Sequence, residues 1–171
     1  MRKPIPRILA IDPGSKEMGI AFLEGEYDLA YHVVKTFKCD RAPRVILKEV
    51  RRTIGRLISY FQPDTLVLER LFYIQQNGSP LLKKVYQELK VIGRKNRLKV
   101  IELAPNTIRK TIVDDGRATK LEVARSLAFQ FPQLQGSLVE DRKKKMRQKY
   151  WFNMFDAVAA AVAYQKKRQR M

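Results

Sequence analysis

The chain has 171 residues, 45% of them apolar, and carries 35 Lys plus Arg against 17 Asp plus Glu, a formal net charge of +18. A chain of this length buries one sizeable core and asks for no second unit, so residues 1–171 are expected to form a single domain. The charge points to a phosphate-rich partner ahead of an anionic membrane surface, with a merely basic protein as the bland alternative. A lone Cys39 excludes internal disulfides and cysteine-rich zinc sites, and no segment is long enough to span a bilayer, so a reducing cytoplasm is the expected location.

In chain order, the basic start MRKPIPRILAI holds an apolar stretch too short for a signal peptide. Residues 7–12 read as a continuous apolar strand. The turn Pro13-Gly14-Ser15-Lys16 follows, then strands near 18–24 and 28–37, which short turns join as a meander. Asp40 is a candidate N-cap for a helix with Val45 or Ile46, then Val50, Ile54, Leu57 and Phe61 at helical spacing, closing at Gln62-Pro63-Asp64. Residues 65–69 form a buried strand, followed by a loop with Phe72, Asn77 and Gly78.

A helix near 80–96 leads to a strand at 98–103. Its Leu81, Leu82, Val85, Leu89 and Ile92 suit either a subunit interface or the chain's own core. Pro105 suits a first helical position, and Asp114-Asp115-Gly116 breaks that helix. Thr119 with Glu122 has the form of a capping box opening a helix that ends near Phe131-Pro132. The cation-rich segment 137–149 is expected to be a loop or a basic extension of the last helix, placed at 151–168, and residues 166–171 a basic tail. Three adjacent strands followed by strands alternating with helices define an α/β domain whose later strands pair parallel.

Three acids stand at the edges of apolar runs: Asp12, Glu69 and Asp156. If the fold brings two strand ends and one helix face together, these carboxylates repel one another unless a cation lies between them. Hard oxygen ligands of this kind suit Mg²⁺ or Mn²⁺. His32 is the only histidine, which excludes a histidine-pair mechanism, and its place within a strand suits a structural role. No Ser or Cys stands in a pattern that supplies it with a base, so metal-assisted hydrolysis is the chemistry that remains.

The Asp12-Pro13-Gly14 opening, Glu69 of LVLER with Phe72 three residues on, TIRKTIVDDGRATK at 107–120 and DAVAAAVAY from 156 together resemble the RuvC family of Holliday junction resolvases. The resemblance runs in order over nearly the whole chain. It implies an RNase H-like fold, a mixed five-stranded sheet (three-strand meander plus parallel strands) flanked by helices. It also implies a homodimer that nicks two strands of a four-way junction symmetrically during recombination and repair. Such an enzyme uses Mg²⁺ or Mn²⁺, two ions per site, and allows for a branch-migration motor as a further partner.

By the same resemblance Asp12, Glu69 and Asp156 match the catalytic, metal-binding acids. Arg109 and Lys120 match basic residues that support catalysis and strand binding, with Lys110 and Arg117 extending the same positive surface. Phe72 matches a ring that stacks on opened bases, with Tyr73 as a second stacker. The departure is Asn153, where an acid or histidine is usual. Three residues before Asp156 it lies on the same helix face, where its amide oxygen can serve as a neutral ligand. A relative acting on other branched DNA or on ribosomal RNA precursors would keep the three acids. A junction-binding protein with an impaired site would tolerate Asn153.

Overall fold

The computed structural model describes residues 5–38, 40–71 and 79–170. Its elements run β1 (Arg7–Asp12), β2 (Glu17–Glu24), β3 (Asp28–Thr36), α1 (Pro43–Phe61), β4 (Thr65–Glu69), α2 (Pro80–Lys95), β5 (Lys99–Leu103), α3 (Pro105–Val113), α4 (Lys120–Gln130) and α5 (Lys145–Gln169). The strands form one sheet in the order β3-β2-β1-β4-β5. The meander pairs antiparallel, and β4 and β5 join parallel to β1 through helical crossovers. The mixed α/β sheet read from the sequence is the sheet observed.

Side chains alternate across the strands and divide the interior into two layers. Ile8, Ala10, Val67 and Leu103 face α3, α4 and α5, while Leu9, Ile11, Leu66 and Leu68 face α1 and α2. On α2, Val85 and Leu89 are fully buried in the second layer with Ile92 beside them, so these residues serve the chain's own core. Helix α5 is apolar all round from Ala157 to Ala163, as expected of a helix buried against a sheet.

Three helices begin with proline, Pro43, Pro80 and Pro105, whose fixed φ and missing N–H suit the first helical position. This corrects the reading of Asp40 as an N-cap: α1 starts at Pro43, with Ala42 in the cap position and no side-chain cap bond. The last helix starts six residues before the expected 151. Lys145, Arg147, Gln148 and Lys149 are good helix formers and carry no breaker, so the helix extends back to take in residues 145–149 of the basic segment. Short helical turns at Pro132–Ser137 and Arg142–Lys144 fill the preceding stretch.

Two glycines are demanded by space. A Cβ on Gly14 would lie 1.6 Å from the Glu17 carbonyl oxygen within the turn after β1, and one on Gly19 would lie 1.7 Å from the Asn153 carbonyl oxygen of α5. Gly19 therefore lets α5 approach β2 directly beside Asp12, its partner in the sheet register. Gly19→Ala is expected to destabilise the chain by roughly 1–3 kcal/mol, the usual cost of overpacking against backbone. Chemical denaturation checks this, and an unchanged midpoint would mean that α5 yields freely.

Candidate active site

The site is built where two parallel strands end. Asp12 closes β1 and Glu69 closes β4, and the register that sets Ile11 opposite Leu68 brings the two acids to the same edge. Each lies two residues beyond a member of the α5-facing layer, Ala10 and Val67, so alternation turns both toward α5. Asp156, on the buried stretch of α5, is only 9% exposed. Burial pushes the Asp12 carboxyl well above the ordinary range, and the neighbouring Asp156 and Glu69 push it further, against a smaller opposing pull from Lys120. Glu69 is raised to about 7, first by burial and then by Asp156, with Lys120 and Arg109 opposing. Asp156 is also raised by burial, against the pull of Lys120 and Arg109.

Lys120 answers this charge from the first residue of α4. The start of that helix is fixed by the expected capping box: the Glu122 N–H donates to Thr119 Oγ1 (3.2 Å) and the Thr119 N–H donates to Glu122 Oε2 (2.6 Å). The Lys120 ammonium donates to Asp156 Oδ2. Burial alone would lower its pKa, but Asp156, Asp12 and Glu69 together raise it. Arg109, on α3, lines the same small cleft with Glu69, Ile108, Lys120, Val123 and Asp156. The cleft encloses about 10 Å³, room for one water-sized body. Any larger substrate must lie across its mouth. Lys110 and Arg117 are on the exposed surface near by.

Asn153 is oriented differently. Its Nδ2 donates to Glu17 Oε2 at the start of β2 (3.0 Å) and to the carbonyl of Tyr150, three residues earlier in α5 (3.2 Å). Glu17 and Gly19 were missed by sequence reasoning. A glycine inside a strand is a signal for close backbone approach, but nothing local marks Glu17 as a partner of a residue 136 positions away. Phe72 and Tyr73 lie outside the described residues. His32 packs its Nδ1 3.2 Å from Met154 Sδ, and burial lowers its pKa.

Among the described residues no three His, Cys, Asp or Glu side chains are drawn together as a ready-made metal cage. The chemistry of the donors nevertheless fits a hard divalent cation. Three carboxylates have raised pKa values, two of them, Glu69 and Asp156, line one small cleft, and Lys120 and Arg109 offset only part of the effect of burial and of the neighbouring charges. No described helix is long and apolar enough to cross a membrane.

A five-stranded mixed sheet with acids at the ends of adjacent strands and on the packed C-terminal helix defines an RNase H-like α/β protein. The family model for crossover junction endodeoxyribonuclease RuvC matches residues 8–135, and the chain belongs to this family, whose members are metal-dependent nucleases in general. The matched stretch holds Asp12, Glu69, Arg109 and Lys120, while Asn153 and Asp156 lie beyond it. The chain is 31% identical to the crossover junction endodeoxyribonuclease RuvC of Hydrogenovibrio crunogenus over 70% of its length and 71% of that protein. It is 29% identical to that of Akkermansia muciniphila over 69% of its length and 73% of that protein. In fold it is similar to Thermus thermophilus RuvC in complex with Holliday junction substrate, with a TM-score of 0.78, 16% identity and 96% of each chain covered. The fowlpox virus Holliday junction resolvase is a more distant fold relative, at a TM-score of 0.58 and 17% identity, covering 95% of this chain and 99% of that one.

Proposed function

We propose that this chain is a structure-selective endodeoxyribonuclease that resolves four-way DNA junctions by nicking two strands symmetrically. The observation that carries the reading is that Asp12 lies close enough to Asp156 and Glu69 for their charges to raise its pKa, beside a cleft lined by Glu69, Asp156, Lys120 and Arg109, in a chain of net charge +18. Asp12, Glu69 and Asp156 are the residues that would hold Mg²⁺ or Mn²⁺, two ions in the full site. Bound there, the metal supplies an activated water and charge stabilisation for phosphodiester hydrolysis.

The protein's own groups do the rest. The three acids are held by two strand ends and a buried helix, so their positions are set before substrate arrives. Arg109 and Lys120 line the cleft and would stabilise the charge that grows on a scissile phosphate held across it. Lys110 and Arg117 hold the flanking strand through its phosphates. Phe72 and Tyr73, just past Glu69 in sequence, are the rings proposed to stack on bases at the opened junction centre. A two-fold homodimer would set one such site on each of two equivalent strands. A branch-migration motor and a cytoplasmic location complete the reading.

Asn153 enters as a residue that ties α5 to β2 through Glu17. Asn153→Asp removes the donor and sets two carboxylates against each other, so in chelator the variant should lose about 1–3 kcal/mol of stability. Melting with and without Mn²⁺ checks this. If the variant is no less stable in chelator, Asn153 is not held by Glu17 in solution.

The test of the function is cleavage of a synthetic four-way junction, a plain duplex and an RNA hairpin side by side with Mg²⁺ or Mn²⁺, the nicks being mapped on all strands. Paired nicks at symmetric positions on the junction alone are expected. Preferential cleavage of the RNA would overturn the reading.

A further inference from the structure

On the sheet face away from the acids, the outer surface of α1 carries Lys48, Arg52 and Arg56, one cation per turn and all exposed. At a rise of about 1.5 Å per residue they span about 12 Å of helix. They line an open groove of about 350 Å³ that Lys35 and Arg41 close on one side. The acid in this groove, Glu49, is already paired, with Lys35 at 2.6 Å and Arg41 at 3.5 Å. Arg51, next along the helix, is paired with Glu88. Among the described residues Lys48, Arg52 and Arg56 have no ion-pair partner. A second open groove, of about 580 Å³, shares Arg52 and Arg56 with the first and continues past Gly55 and Ser59 to Tyr60, which is 81% exposed. The two make one continuous basic track along the helix.

Gly55 is the independent observation. A glycine within a helix is less favourable than alanine, and it is usually retained where packing forbids a side chain. Here a Cβ would meet nothing within 4 Å, so packing within the chain gives no reason for it. A gap on a helix surface, set between Arg52 and Arg56, lets another backbone come close.

We infer that the α1 track is a second nucleic-acid surface, which holds the sugar-phosphate backbone of double-stranded DNA without reading its sequence. The inference rests on the junction-cleaving reading only for the kind of ligand. The track lies on the opposite layer of the fold from Asp12, Glu69 and Asp156, so it holds duplex that is not at the reacting phosphate. Repeated, unpaired cations along a groove are what a regular line of phosphates requires.

The test uses the full chain and a short blunt duplex as probe, with binding followed by fluorescence anisotropy over a salt series. Replacing Lys48, Arg52 and Arg56 together with Gln should weaken duplex binding roughly 10- to 100-fold at low salt. It should also make the dependence of log affinity on log salt shallower by roughly 2 to 3, since each phosphate contact contributes about 0.9 to that slope. Gly55→Gln should raise the melting temperature, as expected for a better helix former, while weakening the same binding. An unchanged salt slope in the triple variant overturns the inference, as does a Gly55→Gln chain that is more stable yet binds duplex equally well. Junction cleavage by the unaltered chain is measured separately. A chain that cuts no junction but loses duplex binding with the α1 cations refutes the resolvase reading and leaves the α1 surface standing.

Discussion

Asp12→Asn is expected to leave the chain folded and able to bind a four-way junction while lowering its cleavage by roughly a thousandfold or more. A carboxylate at the end of β1 that serves to hold a divalent cation is worth several kcal/mol of transition-state charge stabilisation, and each 1.36 kcal/mol is a factor of ten in rate. The same change removes a carboxylate whose pKa Asp156 and Glu69 raise, and with it a source of repulsion toward phosphates, so junction affinity should be unchanged or higher. Single-turnover cleavage with Mg²⁺ and with Mn²⁺, paired with anisotropy in chelator, separates the two effects. Cleavage retained in both metals would remove Asp12 from the chemistry.

Stability in chelator should fall as pH rises, and added divalent metal should restore it. Asp12, Glu69 and Asp156 all have folded-state pKa values above their ordinary ones. The folded chain therefore binds more protons than the unfolded chain between the ordinary carboxylate range and about 7, the value to which Glu69 is raised. The contribution of Glu69 to stability is fully present below about pH 4 and is lost as pH rises through about 7, and those of Asp12 and Asp156 are lost in the same direction. For Glu69, raised from 4.5 to about 7, the loss is on the order of 3 kcal/mol. Melting curves in chelator from pH 5 to pH 8 measure it. Mg²⁺ or Mn²⁺ should raise the melting temperature strongly at pH 8 and little at pH 5, because protonated carboxyls bind no metal. A metal effect of equal size at both pH values would mean that these acids do not titrate together in the folded chain.

What could be read from the residues depended on how local the cause was. Strand β1, with its acid at the end, announced itself as an apolar run broken by Asp12-Pro13-Gly14, and the capping box at Thr119 lies within four residues. Pairing in the sheet followed from the order of elements. The start of α5 was hidden because a run of lysines and arginines looks the same whether solvated as a loop or wound as a helix, and the difference is set by what precedes it. Asp40 was a sound N-cap by type, but Pro43 supplied a stronger start nearer the helix. Glu17 could not be read at all, because its partner Asn153 reaches it only through the packing of α5 on β2. For the same reason the bond that the Asn153 amide nitrogen donates across to the strand could not be read.

The ion pair between Lys120 and Asp156 gives the chain an internal counterion. A domain whose core depends on a cation usually folds only when the cation arrives. Here part of the acids' charge is met by a side chain that comes with the polypeptide, mounted on a helix start with its own cap. Folding and metal acquisition can then be separate events in the protein's life. The chain can be synthesised and reach its final form with Asp156 already matched by a cation of its own.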